Sequence, residues 1–125
     1  MDQTPNEEGR RNRRAHYWRG HVSEWIGALL LFTTGYRILA RRVKTPAGEI
    51  DLVVARGKLI AFVEVKLRPT MEEAEAAITP RQRLRIQRAA ELWMARRPRF
   101  YDHEIRFDVV FLVPWRWPRH IKGGL

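Results

Sequence analysis

Gly48-Glu49-Ile50-Asp51-Leu52-Val53-Val54-Ala55-Arg56-Gly57-Lys58-Leu59-Ile60-Ala61-Phe62-Val63-Glu64-Val65-Lys66-Leu67-Arg68 reads as two β-strands around a tight turn. Strands this rich in Val, Ile and Leu are buried on at least one face. Yet Glu49, Asp51, Glu64 and Lys66 interrupt the apolar alternation. A charge in such a strand needs a partner or a metal ion. A local rule broken this way marks a functional site.

The turn sets the geometry. Gly tolerates positive φ, which predicts a turn centred on Arg56-Gly57 with Ala55 facing Lys58. The pairing then runs back to Asp51 opposite Phe62 and Glu49 opposite Glu64. Residues opposite one another in an antiparallel pair share a face, so Glu49, Asp51, Glu64 and Lys66 lie together. Asp51 falls diagonal to Glu64, roughly 7–8 Å away at the backbone. Ile50, Leu52, Val54, Val63, Val65 and Leu67 take the other face, which is expected to be the core.

Two carboxylates at that separation can converge on one cation, and Mg²⁺ needs only one or two of them besides water and substrate phosphate. This suits phosphodiester hydrolysis with Mg²⁺ (or Mn²⁺). The cation would be held by Asp51 and Glu64, and Lys66 would orient the nucleophilic water or offset charge on phosphorus. The plain alternative is a Glu–Lys ladder on an exposed sheet face, worth roughly 0.2–1 kcal/mol per pair. Glu49 opposite Glu64 speaks against it, because like charges so placed destabilise a sheet unless they share a cation.

Asp51 followed by Glu64-Val65-Lys66 resembles the PD-(D/E)xK nuclease signature without its proline. Gly48-Glu49-Ile50-Asp51-Leu52-Val53, Phe62-Val63-Glu64-Val65-Lys66-x-Arg68 and Arg106-Phe107-Asp108-Val109 together resemble the YraN-like family of bacterial proteins, over about residues 20 to 113. The resemblance implies a restriction-endonuclease-like or Holliday-junction-resolvase-like fold. It also implies a metal-dependent endonuclease acting on DNA, branched or otherwise structured DNA included, and it allows a homodimer. In resembled proteins a glutamate of the first helix reaches the metal site, which Glu24 matches here. A nucleic-acid-binding protein that keeps the fold without catalysis is the alternative.

The whole chain agrees with a nucleic-acid partner. Its 24 Lys+Arg against 14 Asp+Glu give a net charge of +10, the electrostatic footprint of a phosphate binder. It has no cysteine, which excludes disulfides and thiolate metal sites and is compatible with a cytoplasmic location. The basic stretch 10–14 and the apolar run 25–32 imitate a secretory signal. Glu24, the missing cleavage site and the shortness of the run argue against both a signal and a membrane span. His16, His21, His103 and His120 lack metal-ligand spacing. There is no P-loop, dinucleotide glycine motif or Ser/His/Asp set.

In chain order, residues 1–15 read as a flexible basic arm and 16–125 as a single domain. A helix is expected over 19–34, packing Val22, Trp25, Ile26, Leu29 and Leu30 on the sheet and closed by Gly35. Residues 36–44 read as an edge strand with a bulge or bend, since Ile38 and Val43 differ in parity. A short helix over 71–78 precedes a long one that starts at Thr79-Pro80 and buries Ile86, Ala89, Ala90 and Trp93. Arg81, Arg85 and Arg88 line another face of it and, with Arg68, are candidates to hold a phosphate backbone. The last strand covers 104–113. Its Arg106 and Asp108 are expected to support the site from behind, as is Glu49. In the tail 114–122, Trp115 and Trp117 stand among Arg116, Arg119 and Lys122, with packing on the surface expected over base stacking. The order helix, three strands, helix, strand predicts an α/β protein with a mixed sheet flanked by helices.

Overall fold

The computed structural model describes residues 22–125. The flexible-arm expectation for 1–15 and the start of the first helix therefore fall outside the described residues. Helix α1 runs over residues 22–33. There follow β1 (Arg37–Thr45), β2 (Gly48–Arg56), β3 (Leu59–Leu67), α2 (Met71–Ala76), α3 (Pro80–Ala95), a 3₁₀ turn (Pro98–Phe100), β4 (Glu104–Leu112) and β5 (Arg119–Ile121). The five strands form one sheet in chain order. β1, β2 and β3 make an antiparallel meander, β4 joins β3 in parallel after the helical crossover, and β5 closes on β4 antiparallel. This is the predicted mixed α/β sheet flanked by helices, with β5 as an additional strand. Among the described residues no helix is long and apolar enough to cross a membrane.

The central hairpin turns one residue later than the sequence suggests. Arg56 pairs with Leu59 and Leu52 with Val63, so the turn is Gly57-Lys58. Gly57 has φ +59, and the first central position of a two-residue hairpin loop is where type II′ geometry reserves a place for glycine. Face parity survives this shift, but the partners change. One step beyond Leu52↔Val63, Asp51 comes against Glu64 rather than Phe62, and Glu49 no longer opposes Glu64.

Both faces of the sheet are core. Leu52, Val54, Ala61, Val63 and Val65 pack beneath Ala28 and Leu31 of α1. Val53, Ala55, Ile60 and Phe62 pack beneath Ile86, Ala89, Ala90 and Trp93 of α3. The face carrying the charges is thus buried along most of its length. Ile50 was expected beside Leu52 but joins the α3 cluster. The change of face coincides with a distortion of β1 at Arg42, opposite Asp51. Between the pairs Arg41↔Leu52 and Val43↔Ile50, Arg42 takes φ +52, a left-handed conformation that breaks strand alternation. A further register shift lies between Ile38 and Ala40, so the bend anticipated in this edge strand is present.

Helix α1 packs in a different phase from that predicted. Val22, Trp25, Ile26, Leu29 and Phe32 are exposed, whereas Ser23, Glu24, Ala28 and Leu31 are buried. Leu30 is half-buried against the sheet. The small residues decide this. A Cβ on Gly27 would stand 3.0 Å from Val65 Cγ2 and 3.5 Å from Leu52 Cδ1, so the helix seats its narrow Gly27–Ala28 edge on the strands. The helix ends as predicted at Gly35, with Tyr36 N–H donating to the Leu31 carbonyl and Gly35 N–H to that of Phe32, a Schellman closure.

Arg106 and Asp108 lie on the α1 face, because they pair with Ala61 and Val63 rather than with Glu64 and Lys66. They are not behind the acidic cluster. Asp108 is fully buried. It accepts from Arg106 Nε and Nη2, each at 2.7 Å, from the Gly123 N–H at 2.9 Å, and shares a 2.8 Å hydrogen bond with His120 Nε2. Burial opposes its charge, but these partners hold its pKa down at about 2. Asp108 thereby fastens β5 and the C-terminal residues to the sheet. Asp108→Ala should lower the unfolding free energy in urea by about 3 kcal/mol, since Arg106 loses a charged acceptor inside the fold. It should leave any cation affinity of Asp51 and Glu64 unchanged.

Candidate active site

Asp51 Oδ2 accepts the Val65 N–H at 2.8 Å. A side chain thus takes a backbone donor at the point where the regular β2–β3 ladder stops. Glu64, on the neighbouring strand, is buried. Burial, then the charge of Asp51 and a hydrogen bond shared with it, push the Glu64 carboxyl up to about 8. Two carboxyl groups in contact in a poorly solvated place cannot both ionise cheaply.

Lys66 continues this face, with Nζ 4.0 Å from Glu64 Oε1. Its neighbouring carboxylates favour the ammonium form, but burial outweighs them and lowers its pKa. Gln82, a buried residue in the first turn of α3, was missed as a contributor. With its amide oriented to satisfy its surroundings, Gln82 Oε1 accepts from Lys66 Nζ at 2.5 Å, and its Nε2 donates to the Ala77 carbonyl at 2.8 Å. Its backbone N–H is held by the Thr79 cap at 3.2 Å. The junction of α2 and α3 therefore fixes the lysine. The available signal was polarity at helical spacing: Gln82 lies one turn before Ile86, in line with the buried stripe.

Glu24 arrives from the opposite face of the sheet, one helical turn before Gly27. Its pKa is pushed up to about 7, by burial first and by Asp51 second, against Arg42 and Arg41. Its Oε2 is buried without a hydrogen bond, and Arg42 Nε stands 3.6 Å away, outside hydrogen-bonding range. Of the four predicted residues, Asp51, Glu64 and Lys66 adjoin directly, and Glu24 senses Asp51 electrostatically. Glu49 is exposed, though it adds to the negative potential on Glu24.

Among the basic candidates, Arg81 and Arg85 line a cavity of about 240 Å³ with Lys66, Ala77, Thr79 and Gln82. The Arg85 stem crosses Gly48, where a Cβ would lie 2.7 Å from Arg85 Cδ. Its charge acts on both Glu64 and Lys66. Arg68, at the end of β3, adds to the positive potential on Lys66. Arg88 is exposed further along α3 and is not brought to this cavity.

Among the described residues no three His, Cys, Asp or Glu side chains form a ready cage for a metal ion. The residues nonetheless fit a hard divalent cation. Asp51 and Glu64 supply the two carboxylates that Mg²⁺ commonly takes, and Glu24, which comes from α1, keeps a buried oxygen without a hydrogen bond. Raised carboxyl pKa values are what such ligands show when no cation offsets their charge.

Comparison with known proteins places these residues in a family context. Residues 23–112 match the profile described as "Uncharacterised protein family UPF0102". Similar chains include UPF0102 proteins of Methylobacterium nodulans, 51% identical over 124 residues (99% of this chain and 95% of that one), and of Chelativorans sp., 48% identical over 116 residues (93% and 94%). A third, from Parvibaculum lavamentivorans, is 53% identical over 110 residues (88% and 83%).

The shifted carboxyls carry a stability signature. Glu64 is raised from 4.5 to about 8 and Glu24 from 4.5 to about 7. Each folded carboxyl keeps a proton that the unfolded chain has already lost, so their stabilisation is complete below about pH 4.5 and disappears as pH rises toward about 8. In cation-free buffer the melting temperature should fall across that window. Glu64→Gln should flatten the fall above about pH 7, leaving the part due to Glu24. An unchanged profile in the variant would remove Glu64 as its source.

Proposed function

The chain belongs to the UPF0102 family, and we propose that it is a divalent-cation-dependent endonuclease that hydrolyses phosphodiester bonds in DNA. The observation that carries this reading is the half-buried Asp51, anchored on the Val65 N–H, set against the buried Glu64, with Lys66 next along β3 and held by Gln82. A merely solvated ion-pair ladder would leave these groups in water, whereas Glu64 is buried and Lys66 is half-buried beside it.

In this reading Asp51 and Glu64 would hold the cation, and Glu24, whose carboxyl feels the charge of Asp51, would assist them. The cation, when bound, lowers the pKa of water and offsets charge on the phosphoryl oxygens. Lys66 Nζ positions the attacking water and donates to the phosphoryl oxygen as charge develops there. Gln82 keeps Nζ in place through a fixed acceptor, so the lysine loses little freedom during the reaction. Arg85 and Arg81 hold a phosphate of the same strand in their cavity, and Arg68 holds one on the β3 side. The water oxygen bonds to phosphorus as one of its protons passes to solvent, one bridging P–O bond breaks, and the departing oxygen takes a proton from solvent.

Cleavage of linear, single-stranded and four-way-junction DNA with Mg²⁺ or Mn²⁺ tests this directly. Lys66→Ala should lose about 100- to 1,000-fold in rate. Equal residual cleavage by wild type and Lys66→Ala would mark a contaminant and sink the reading for those substrates. Gln82→Ala should lower kcat about tenfold with little change in KM, because it releases Lys66 without removing a phosphate contact. A pure rise in KM would instead make Gln82 a substrate contact.

A further inference from the structure

The loop between β4 and β5, Pro114-Trp115-Arg116-Trp117-Pro118, carries two tryptophans that the fold does not cover. Trp115 is 103% exposed and Trp117 90%. Packing of these rings onto the surface, expected from the sequence, does not occur. Among the described residues these two indoles form an exposed aromatic surface open to a ligand.

The loop itself is fixed at both ends. Val113 is buried, Arg116 N–H donates to its carbonyl at 3.2 Å, and the pairs Phe111↔Arg119 and Val110↔His120 close the base. His120 is in turn held by Asp108 at 2.8 Å. Trp115 has φ +66, an uncommon conformation for a bulky residue, which the surrounding turn enforces.

The loop also adjoins the candidate active site. Arg68 N–H donates to the Leu112 carbonyl at 3.1 Å, and Pro114 lines a cavity of about 330 Å³ with Leu67, Arg68 and Pro69. Glu64, Lys66 and Arg68 follow one another along β3 toward that same end. The neighbouring side chains Arg68, Arg116 and Arg119 are all cationic.

We propose that Trp115 and Trp117 form a stacking platform for unpaired nucleobases on the strand that enters the active site. The inference rests on the reading of the partner as nucleic acid and specifies what part of it is recognised: single-stranded or splayed nucleotides rather than an intact duplex. Aromatic faces accept any base, and the arginines between them hold the backbone phosphates. In Pro114-Trp115-Arg116-Trp117-Pro118 a cationic group stands beside each ring, which favours a partner that carries phosphate.

The test is binding by fluorescence anisotropy with the full chain in EDTA, so that no cleavage occurs. The probes are a blunt duplex, the same duplex with a single-stranded tail, and an oligo-dT strand. Wild type should prefer the tailed duplex and oligo-dT, with quenching of tryptophan emission on binding. Trp115→Ala/Trp117→Ala should lose about tenfold or more on those two probes and little on the blunt duplex. Trp115→Tyr/Trp117→Tyr should recover most of the loss. The dependence on salt should not change, because the phosphate contacts remain. Equal binding of the tailed duplex by wild type and the alanine variant would overturn the platform, as would an equal loss on all three probes or no binding by wild type. If the tryptophan-dependent preference appears while metal-dependent cleavage does not, the platform stands and the nuclease reading fails.

Discussion

The site depends on one substitution within the sheet: a carboxylate takes a backbone N–H where a strand partner would normally do so. Asp51 Oδ2 holds the Val65 N–H at 2.8 Å, just past the last regular pair of the central hairpin. An acid in that position anchors one oxygen and brings its charge against Glu64, which the fold has already buried. The proximity of two acids is therefore built into the strand pairing and does not require either side chain to reach across solvent.

Each face of the sheet then contributes something the hairpin cannot supply. α1 lies close enough to bring Glu24 toward Asp51 only because Gly27 lets it rest on Val65 and Leu52. α3 contributes Gln82 to Lys66 and directs Arg85 across Gly48. The left-handed Arg42 bends β1 opposite Asp51, where Ile50 passes to the other side of the sheet. These features concentrate backbone distortion, burial and closely packed charge in one place, while the Asp108 network secures the far face. Several local rules are broken together here, which is the pattern expected of a functional site.

Much of this was legible in the sequence. Period-two alternation placed Asp51, Glu64 and Lys66 on one face, and the Thr79-Pro80 start and buried stripe of α3 were read from spacing. What failed, failed for physical reasons. The turn moved by one residue because Gly57 serves the first central position, and no pattern of side chains distinguishes that from the second. The apolar stripe of α1 pointed outward because close packing favoured Gly27 and Ala28 over larger neighbours. Arg106 and Asp108 were placed behind the site by local alternation, but the face they occupy depends on the register of a parallel strand met only after two helices. Gln82 stands in line with the buried stripe of α3, a spacing that marks it as inward-facing, but its contact with Lys66 is tertiary and cannot be read from local pattern.

Calorimetric titration of the full chain with Mn²⁺ near neutral pH, repeated in buffers of different ionisation enthalpy, tests the central claim most directly. Without a cation Glu64, pushed up to about 8, is largely protonated there and Glu24, pushed up to about 7, partly so, and a cation held by these carboxylates must displace those protons. The predicted result is binding coupled to proton release, with both reduced in Glu64→Gln and abolished in Asp51→Asn/Glu64→Gln. Binding without proton release, or undiminished binding in the double variant, would contradict it.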